Sequence, residues 1–337
     1  MSTTTTSPGA GSTAATDAPL CSSWVTRALR AVTQQGLAAW ILVLALVCWL
    51  TIDNAAGFWS SASLASVLTA TVVLGLVALG QHLVVLTGGI DLSVGSMATL
   101  GALLTAMLID GYPVRTLPVV LGVLALGAVI GAAHGTLVAR FGLAPFIVTL
   151  ATFYAVQGLA LVVSPVPAGQ VTVALSDFAI ARTGPIPHLL VVLVVAAGLV
   201  ALLLNHTAAG RHILAVGGDA EGARANGVPV VRTVVLAYAG SGVLAMTAGV
   251  LLAARATIGS PTAGEGLELS AIAAVVIGGV SLMGGRGTVV GTLGGVALLT
   301  LVTSSITILQ LPPTITDLVR GTIIVVAAAL FVTRERR

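Results

Sequence analysis

Lysine is absent from this sequence, and charged residues of every kind are rare. Aspartate, glutamate and arginine together make up 7% of the 337 residues. A soluble domain has about 25%, so an ordinary soluble protein is excluded. Without lysine, the chain cannot contain a GxxxxGKS/T phosphate-binding loop or the ATPase site that such a loop forms. The two cysteines, Cys21 and Cys48, lack the spacing of a metal or redox site, and we expect Cys48 to be a buried thiol.

Clusters of chemically active side chains are missing as well. The sequence shows no pattern of a catalytic triad, a metal cluster or a paired-carboxylate site. We therefore expect no catalytic residues, no metal ligands and no bound cofactor. The fourteen arginines are scattered or lie at the ends of apolar segments. That distribution is typical of membrane topology and argues against a nucleic-acid partner.

Apolar residues are abundant: 57% of the chain is hydrophobic, and the mean hydropathy is +1.11. A membrane-spanning helix needs about 20 mainly apolar residues. The pattern predicts an all-α, polytopic integral membrane protein with about ten transmembrane helices. The predicted spans are residues 37–52, 64–86, 93–110, 118–139, 143–163, 188–205, 231–254, 269–283, 288–310 and 317–333.

The chain divides into one membrane domain and two tails. Residues 1–35 begin with a stretch rich in threonine and small residues and are predicted to form a disordered cytoplasmic tail. Residues 36–333 form the predicted transmembrane domain, and residues 334–337 form a second cytoplasmic tail. The arginine distribution places both termini and the loop at about 205–231 in the cytoplasm, and the proline-rich loop 164–187 on the opposite side.

The segment Gly88–Ser96 interrupts an apolar run that is too long for one membrane crossing. Gly88 and Gly89 release the helix, while Asp91 and Ser93 are suited to cap a new one. The pattern therefore predicts a broken or half-helix at this point. An ionisable residue inside a membrane segment is costly and marks a functional site by default. Two compatible roles stay open for Asp91: a helix cap, or a residue of the substrate pathway.

Three further polar residues inside predicted spans are candidates for the substrate pathway. Gln81 precedes the break and faces either a pathway or a neighbouring helix. Tyr154 and Gln157 are three residues apart and share a helix face, which serves either packing or a pathway. The predicted substrate-pathway residues are Gln81, Gly88, Gly89, Asp91, Ser93, Tyr154 and Gln157.

The predicted cytoplasmic loop contains the motif GGDAEGARANGVPV, which begins at Gly217. Asp219 is suited to be an N-cap, Glu221 favours a first turn, and Gly227 followed by Pro229 makes a stop. The motif predicts a short helix in the loop. Such a helix is either a docking element for a partner or a solvated connector.

Four motifs together carry a resemblance: GGIDLSVGS, APFIVTLATFYAVQGLAL from Ala144, the loop motif, and ELSAIAAVVIGGVSLMGGRGTVVGTLGG from Glu268. From about residue 37 onward, the chain resembles permease subunits of bacterial ribose- and xylose-type ABC sugar importers, within the branched-chain amino acid and monosaccharide permease family. The resemblance implies a multi-pass protein of the bacterial plasma (inner) membrane. It also implies three partners: a cytoplasmic ABC ATPase, an extracytoplasmic sugar-binding protein, and a second permease copy that is identical or a close paralogue.

The resemblance also implies a function and a coupling site. The chain, surrounded by membrane lipids, would translocate a pentose or hexose across the membrane. The ATPase partner would use the ATP. A related importer for branched-chain amino acids or nucleosides is the alternative. An ion-coupled secondary transporter is less favoured, because it would need several buried acidic residues. The residues implied to couple to the ATPase are Gly218, Asp219, Glu221, Ala223, Arg224, Asn226 and Gly227.

Overall fold

The computed structural model describes residues 37–309 together with 318, 321 and 322. The predicted tails 1–35 and 334–337, and almost all of the predicted span 317–333, lie outside the described residues. Within the described part, the elements with defined bounds are α1 (Leu37–Phe58), α2 (Ser61–Leu86), α3 (Val94–Ile109), α4 (Pro113–Phe141), α5 (Pro145–Val163), α6 (Val173–Ile180), β1 (Arg182–Thr183), β2 (Ile186–Pro187), α7 (Leu190–His206), α8 (Ala208–Gly218), α9 (Ala220–Ala225), α10 (Val230–Ala256), α11 (Leu267–Ile277) and α12 (Val289–Ile308).

The all-α prediction holds for the described residues apart from one short ribbon, in which β1 and β2 pair antiparallel. By length and hydropathy, five described helices are able to cross a membrane: α2, α4, α5, α10 and α12. Helices α7 and α8, bent by 74° at their junction, make a sixth span if taken as one. Among the described residues, which leave out nearly all of the predicted span 317–333, this criterion does not give ten spans. Helices α3 and α11 and the apolar part of α1, Leu37–Asp53, are shorter than a span by this criterion. Non-helical segments precede α3 and α11.

Helix α10 is the centre of the bundle and packs most extensively on α4, α3 and α2. Glycines allow this close approach. A methyl group added at Gly131 would overlap the carbonyl oxygen of Tyr238, and one added at Gly127 would lie 2.5 Å from the carbonyl oxygen of Gly242. Small residues at such contacts let membrane helices approach through their backbones. A substitution at either glycine would therefore separate α4 from α10.

Helix α1 lies at the edge of the described bundle and packs mainly on α12. Several of its side chains, Cys48 among them, are exposed within the described part of the chain. The expectation of a buried thiol was wrong. An apolar environment in the sequence does not distinguish a face that packs on another helix from a face that meets lipid.

The connections between helices gather at two ends of the bundle. At one end, which we call the Gly217 end, the Gly285 amide donates to the Leu86 carbonyl oxygen at 3.0 Å. At the opposite end, the Gly111 amide donates to the Gln170 carbonyl oxygen at 2.8 Å, and the Val171 amide bonds the same loop to Thr257. The loops at each end are therefore held together by main-chain hydrogen bonds.

Candidate functional site

The break in the apolar run lies where the sequence predicts it. Helix α2 ends at Leu86, α3 begins at Val94, and residues 87–93 between them are not helical. Gly88 has a φ of +80°, which favours glycine over residues with a side chain. At Gly89 there is no room for a side chain, because an added methyl group would lie 2.5 Å from the Tyr238 hydroxyl oxygen.

Asp91 is fully buried and joins the break to helix α10. Its Oδ1 accepts hydrogen bonds from the Ser93 amide (3.0 Å) and the Ser93 hydroxyl (2.6 Å). Its Oδ2 accepts from the hydroxyl of Ser241 on α10, at 3.0 Å. Because all three donors are buried, the carboxylate supplies acceptors that water cannot replace in this conformation.

The capping role expected for Asp91 takes a modified form. Ser93, rather than Asp91, occupies the N-cap position, and the helix starts at Val94. The Ser93 side chain makes no capping bond to the helix. Asp91 instead accepts the amide of the N-cap residue itself, so it fixes the turn that leads into α3.

Gln81 reaches the same segment from helix α2. With its amide oriented to satisfy both partners, the side chain donates to the Asp91 carbonyl oxygen (2.9 Å) and accepts from the Asp91 amide (3.2 Å). Non-helical backbone at membrane depth is tolerated only where protein or water satisfies its polar groups. Gln81 does so for Asp91, so its side chain is directed to the break.

Other polar side chains close the break on its remaining sides. The Thr149 hydroxyl donates to the Ile90 carbonyl oxygen at 3.2 Å. Nε2 of His134 and the Thr152 hydroxyl form a hydrogen bond between α4 and α5 at 2.9 Å. The Tyr238 ring stands edge-on to His134, with centroids 6.3 Å apart. These side chains come from α4, α5 and α10.

A second non-helical segment, residues 257–266, runs beside α3 before α11 begins. The Gly264 amide donates to the Thr99 hydroxyl at 2.9 Å, and Nε2 of Gln157 donates to the Pro261 carbonyl oxygen at 2.9 Å. Glu268 lies in the first turn of α11, so close to α3 that a methyl group added at Gly95 would overlap its carboxylate. The predicted spans 231–254 and 269–283 leave this stretch as a connecting loop. In the structure, Gln157, a predicted pathway residue, binds it.

Tyr154 does not join the other predicted pathway residues. It is 68% exposed, and its ring contacts that of Phe153 edge-on at a centroid distance of 5.3 Å. Gln157, three residues later, is half-buried against the second non-helical segment. The two side chains share one helix but face different surroundings.

The short helix predicted in the loop at about 205–231 is confirmed as α9. Oδ1 of Asp219 accepts from the amides of Glu221 (3.1 Å) and Gly222 (3.0 Å), as an N-cap does. Asn226 is the C-cap residue, and its side chain bonds back to the Gly222 carbonyl oxygen at 2.8 Å. Gly227 follows with a φ of +80°. Each of these local signals can be recognised in the sequence.

The implied coupling residues divide by exposure. Those open to a partner are Gly218, Asp219, Glu221, Arg224, Asn226 and Gly227. Ala223 is instead buried with Val84, Val216, Val230 and Tyr238 in a small apolar cluster. Ala223 therefore holds α9 to the bundle, while the polar side chains of the helix are presented outward.

Comparison with known proteins places the chain in a family. Residues 63–328 match the family described as branched-chain amino acid transport system / permease component. The chain belongs to this family. Together with its apolar helices, this membership makes it a multi-pass protein of the inner membrane.

Three of the similar proteins are sugar import permeases. Over 299 residues the chain is 36% identical to the ribose import permease RbsC of Escherichia coli K12, covering 87% of this chain and 92% of the relative. It is 35% identical over 302 residues to the fructose import permease FrcC of Rhizobium meliloti, covering 86% and 83%. It is 35% identical over 295 residues to the galactose/methyl galactoside import permease MglC of Escherichia coli K12, covering 81% and 87%. No solved structure matches. The resemblance carried by the four motifs is confirmed.

Proposed function

We propose that the chain is the membrane-spanning permease subunit of an ATP-binding-cassette importer and translocates a monosaccharide of the pentose or hexose type. The observation that carries this proposal is the similarity to ribose, fructose and galactose import permeases over at least 81% of this chain. A separate cytoplasmic ATPase uses the ATP, and an extracytoplasmic binding protein delivers the sugar. A second permease copy, identical or a close paralogue, completes the pathway at a two-fold axis.

In this proposal the break shapes the pathway without itself selecting the sugar. Asp91, Ser93 and Gln81 have no exposed surface. Their side chains bond to one another, to Ser241 and, from Ser93, to Met97 Sδ. They hold the main chain of residues 87–93 in one arrangement. Alternating access then requires the helices that carry this cluster to move together. Tyr154, exposed on α5, faces lipid or the second copy.

The substrate class is tested on the assembled complex. We expect the binding protein that co-purifies with this permease to carry a monosaccharide, identified by mass spectrometry after denaturation. The family description also names branched-chain amino acids, so an importer of that kind is the second candidate. A bound amino acid or nucleoside would favour the alternative and contradict the proposal.

The finer topology that we propose has ten spans with both termini in the cytoplasm. It is supported by the way the loops gather at two ends of the bundle, since the loops assigned to one side of the membrane bind one another. In a variant lacking Cys21 and Cys48, a cysteine at Ala220 should resist a membrane-impermeant thiol reagent in intact cells. A cysteine at Thr183, exposed on β1, should react. Labelling of position 220 from outside would contradict the ten-span topology.

Energy coupling is proposed to pass through α9. The purified chain alone should show no ATP hydrolysis, and adding the ATPase should produce ATP-driven transport in liposomes. Glu221→Ala and Arg224→Ala should weaken ATPase binding, because both side chains are exposed on the docking helix. Each is expected to cost about 0.2–1 kcal/mol, as exposed ion pairs do. Thr183→Ala, on the distant ribbon, is the matched control.

Two outcomes would contradict this coupling proposal. One is that the chain alone moves sugar down a proton or sodium gradient, which would favour a secondary transporter. The other is that the α9 variants bind the ATPase as tightly as the control. Binding is measured by titrating labelled ATPase onto the reconstituted permease.

A further inference from the structure

Three main-chain segments meet at the Gly217 end with no side chain between them. They are the last turn of α2 at Leu86, the end of α8 at Gly217, and the turn at Gly284 and Gly285. The Gly285 amide donates to the Leu86 carbonyl oxygen at 3.0 Å. We call these four residues the glycine junction.

The junction has no room for a methyl group. One added at Gly217 would overlap the Leu86 carbonyl oxygen and lie 2.5 Å from the Gly285 nitrogen. One added at Gly284 would lie 2.7 Å from the Gly217 carbonyl oxygen and 2.9 Å from the Gly88 nitrogen. The segments therefore touch backbone to backbone, and no rotatable side chain is available to absorb a displacement.

The position of the junction links two elements of the proposed mechanism. Gly217 is followed after one residue by Asp219, the N-cap of α9. Leu86 is followed directly by the non-helical segment 87–93, which contains Asp91. The Gly284 turn connects α11 to α12. The junction thus provides a backbone contact between α9 and the break, in addition to the apolar contact of Ala223 with the cluster that contains Val84.

We propose that the glycine junction transmits movement of α9 to the break at residues 87–93, so that Gly217 acts as a positioning residue for transport. This inference rests on the proposed function, in which α9 binds the ATPase. Close-packed protein interiors are stiff and transmit strain. Because Gly217 contacts Leu86 through main-chain atoms, a shift of α8 and α9 displaces the end of α2 directly.

The test widens the junction by one methyl group in the full complex with the ATPase and the binding protein, reconstituted in liposomes. For Gly217→Ala we expect ATP hydrolysis to continue while sugar transported per ATP falls by about tenfold, within the usual range of coupling between sites. A cysteine at Ile90, in a variant without Cys21 and Cys48, reports on the break itself. Its labelling rate should change with nucleotide in the parent and stay constant in Gly217→Ala.

Two glycines serve as matched controls. Gly198→Ala on α7 adds a methyl group that meets no described atom within 4 Å, so coupling should be unchanged. Gly295→Ala adds one that overlaps the Ala274 carbonyl oxygen between α12 and α11, so it should lower stability without uncoupling. Equal uncoupling by Gly295→Ala would show a general packing effect and overturn the proposal.

A second variant covers the case in which Gly217→Ala does not assemble. Inserting two glycines between Gly218 and Asp219 leaves the residues of the junction unchanged. The insertion makes the link between the junction and α9 longer and more flexible. A lower ratio of sugar to ATP in complexes that retain the ATPase supports the inference, and an unchanged ratio overturns it. A parent complex without ATP-driven sugar transport refutes the proposed function. An active parent with a normally coupled Gly217→Ala refutes only the junction.

Discussion

Replacing Asp91 with alanine should prevent normal assembly, because it leaves two buried donors without an acceptor and removes the shorter hydrogen bond of a third. The first two are the Ser93 amide and the Ser241 hydroxyl. The third is the Ser93 hydroxyl, which also reaches Met97 Sδ at 3.4 Å. Each buried donor left unsatisfied costs about 1–3 kcal/mol, and several such losses together amount to a large part of a protein's stability. We expect low yield and a lowered melting temperature in detergent.

Asp91→Asn separates the structural role of the side chain from its charge. The asparagine oxygen still accepts from Ser93, and the Ser241 hydroxyl can turn to accept from the new amide. We therefore expect Asp91→Asn to assemble with the ATPase and to transport sugar at a rate close to that of the parent. A neutral sugar gains little from a nearby permanent charge, which favours this outcome.

Sugar uptake by the reconstituted Asp91→Asn complex decides between the two roles of Asp91. Asp177→Ala, which removes an exposed carboxylate on α6, is the control and should be indistinguishable from the parent. If Asp91→Asn assembles well but its transport is near zero, the carboxylate charge itself is required. The hydrogen bonds of Asp91 would then not be enough to explain its role.

Gln81→Met should produce the second large effect, a loss of protein stability. Methionine has a similar shape but cannot bind the Asp91 amide or carbonyl, which the glutamine satisfies at 3.2 and 2.9 Å. Two buried main-chain groups left unsatisfied cost about 1–3 kcal/mol each. We expect a clear fall in melting temperature and faster proteolysis near the break.

Thr105→Val is the matched control for Gln81→Met. Thr105 is also fully buried, but its hydroxyl donates only to the Gly101 carbonyl oxygen within its own helix, at 2.6 Å. Removing that bond leaves no unsatisfied donor, so the melting temperature should change little. Equal melting temperatures for Gln81→Met and the parent would show that Gln81 does not stabilise the break.

The sequence by itself determined the class of protein, the place of the first break and the helix α9. These features depend on signals that are local in the chain. Long apolar runs need lipid or a core, glycine pairs release a helix, and an aspartate at Asp219 caps the next one. Such preferences act over a few residues and do not depend on how the helices pack.

The position of the second non-helical segment depends on the tertiary structure. Residues 257–266 contain glycine, proline, serine and threonine, which is also the composition of an ordinary loop at a membrane surface. Only the contacts of Gly264 with Thr99, and of Pro261 with Gln157, place this segment beside α3. The short length of α11, and with it the count of full spans, follows from that placement.

The partners of Asp91 also required the folded bundle. Ser241 is 150 residues away in the chain, and it meets Asp91 because α10 packs between α2, α3 and α4. The sequence does not specify that arrangement, since a helix that is apolar on every side has no face marked for a particular neighbour. The close glycine contacts that select the neighbours, such as Gly131 against Tyr238 and Gly217 against Leu86, exist only once the backbones have met.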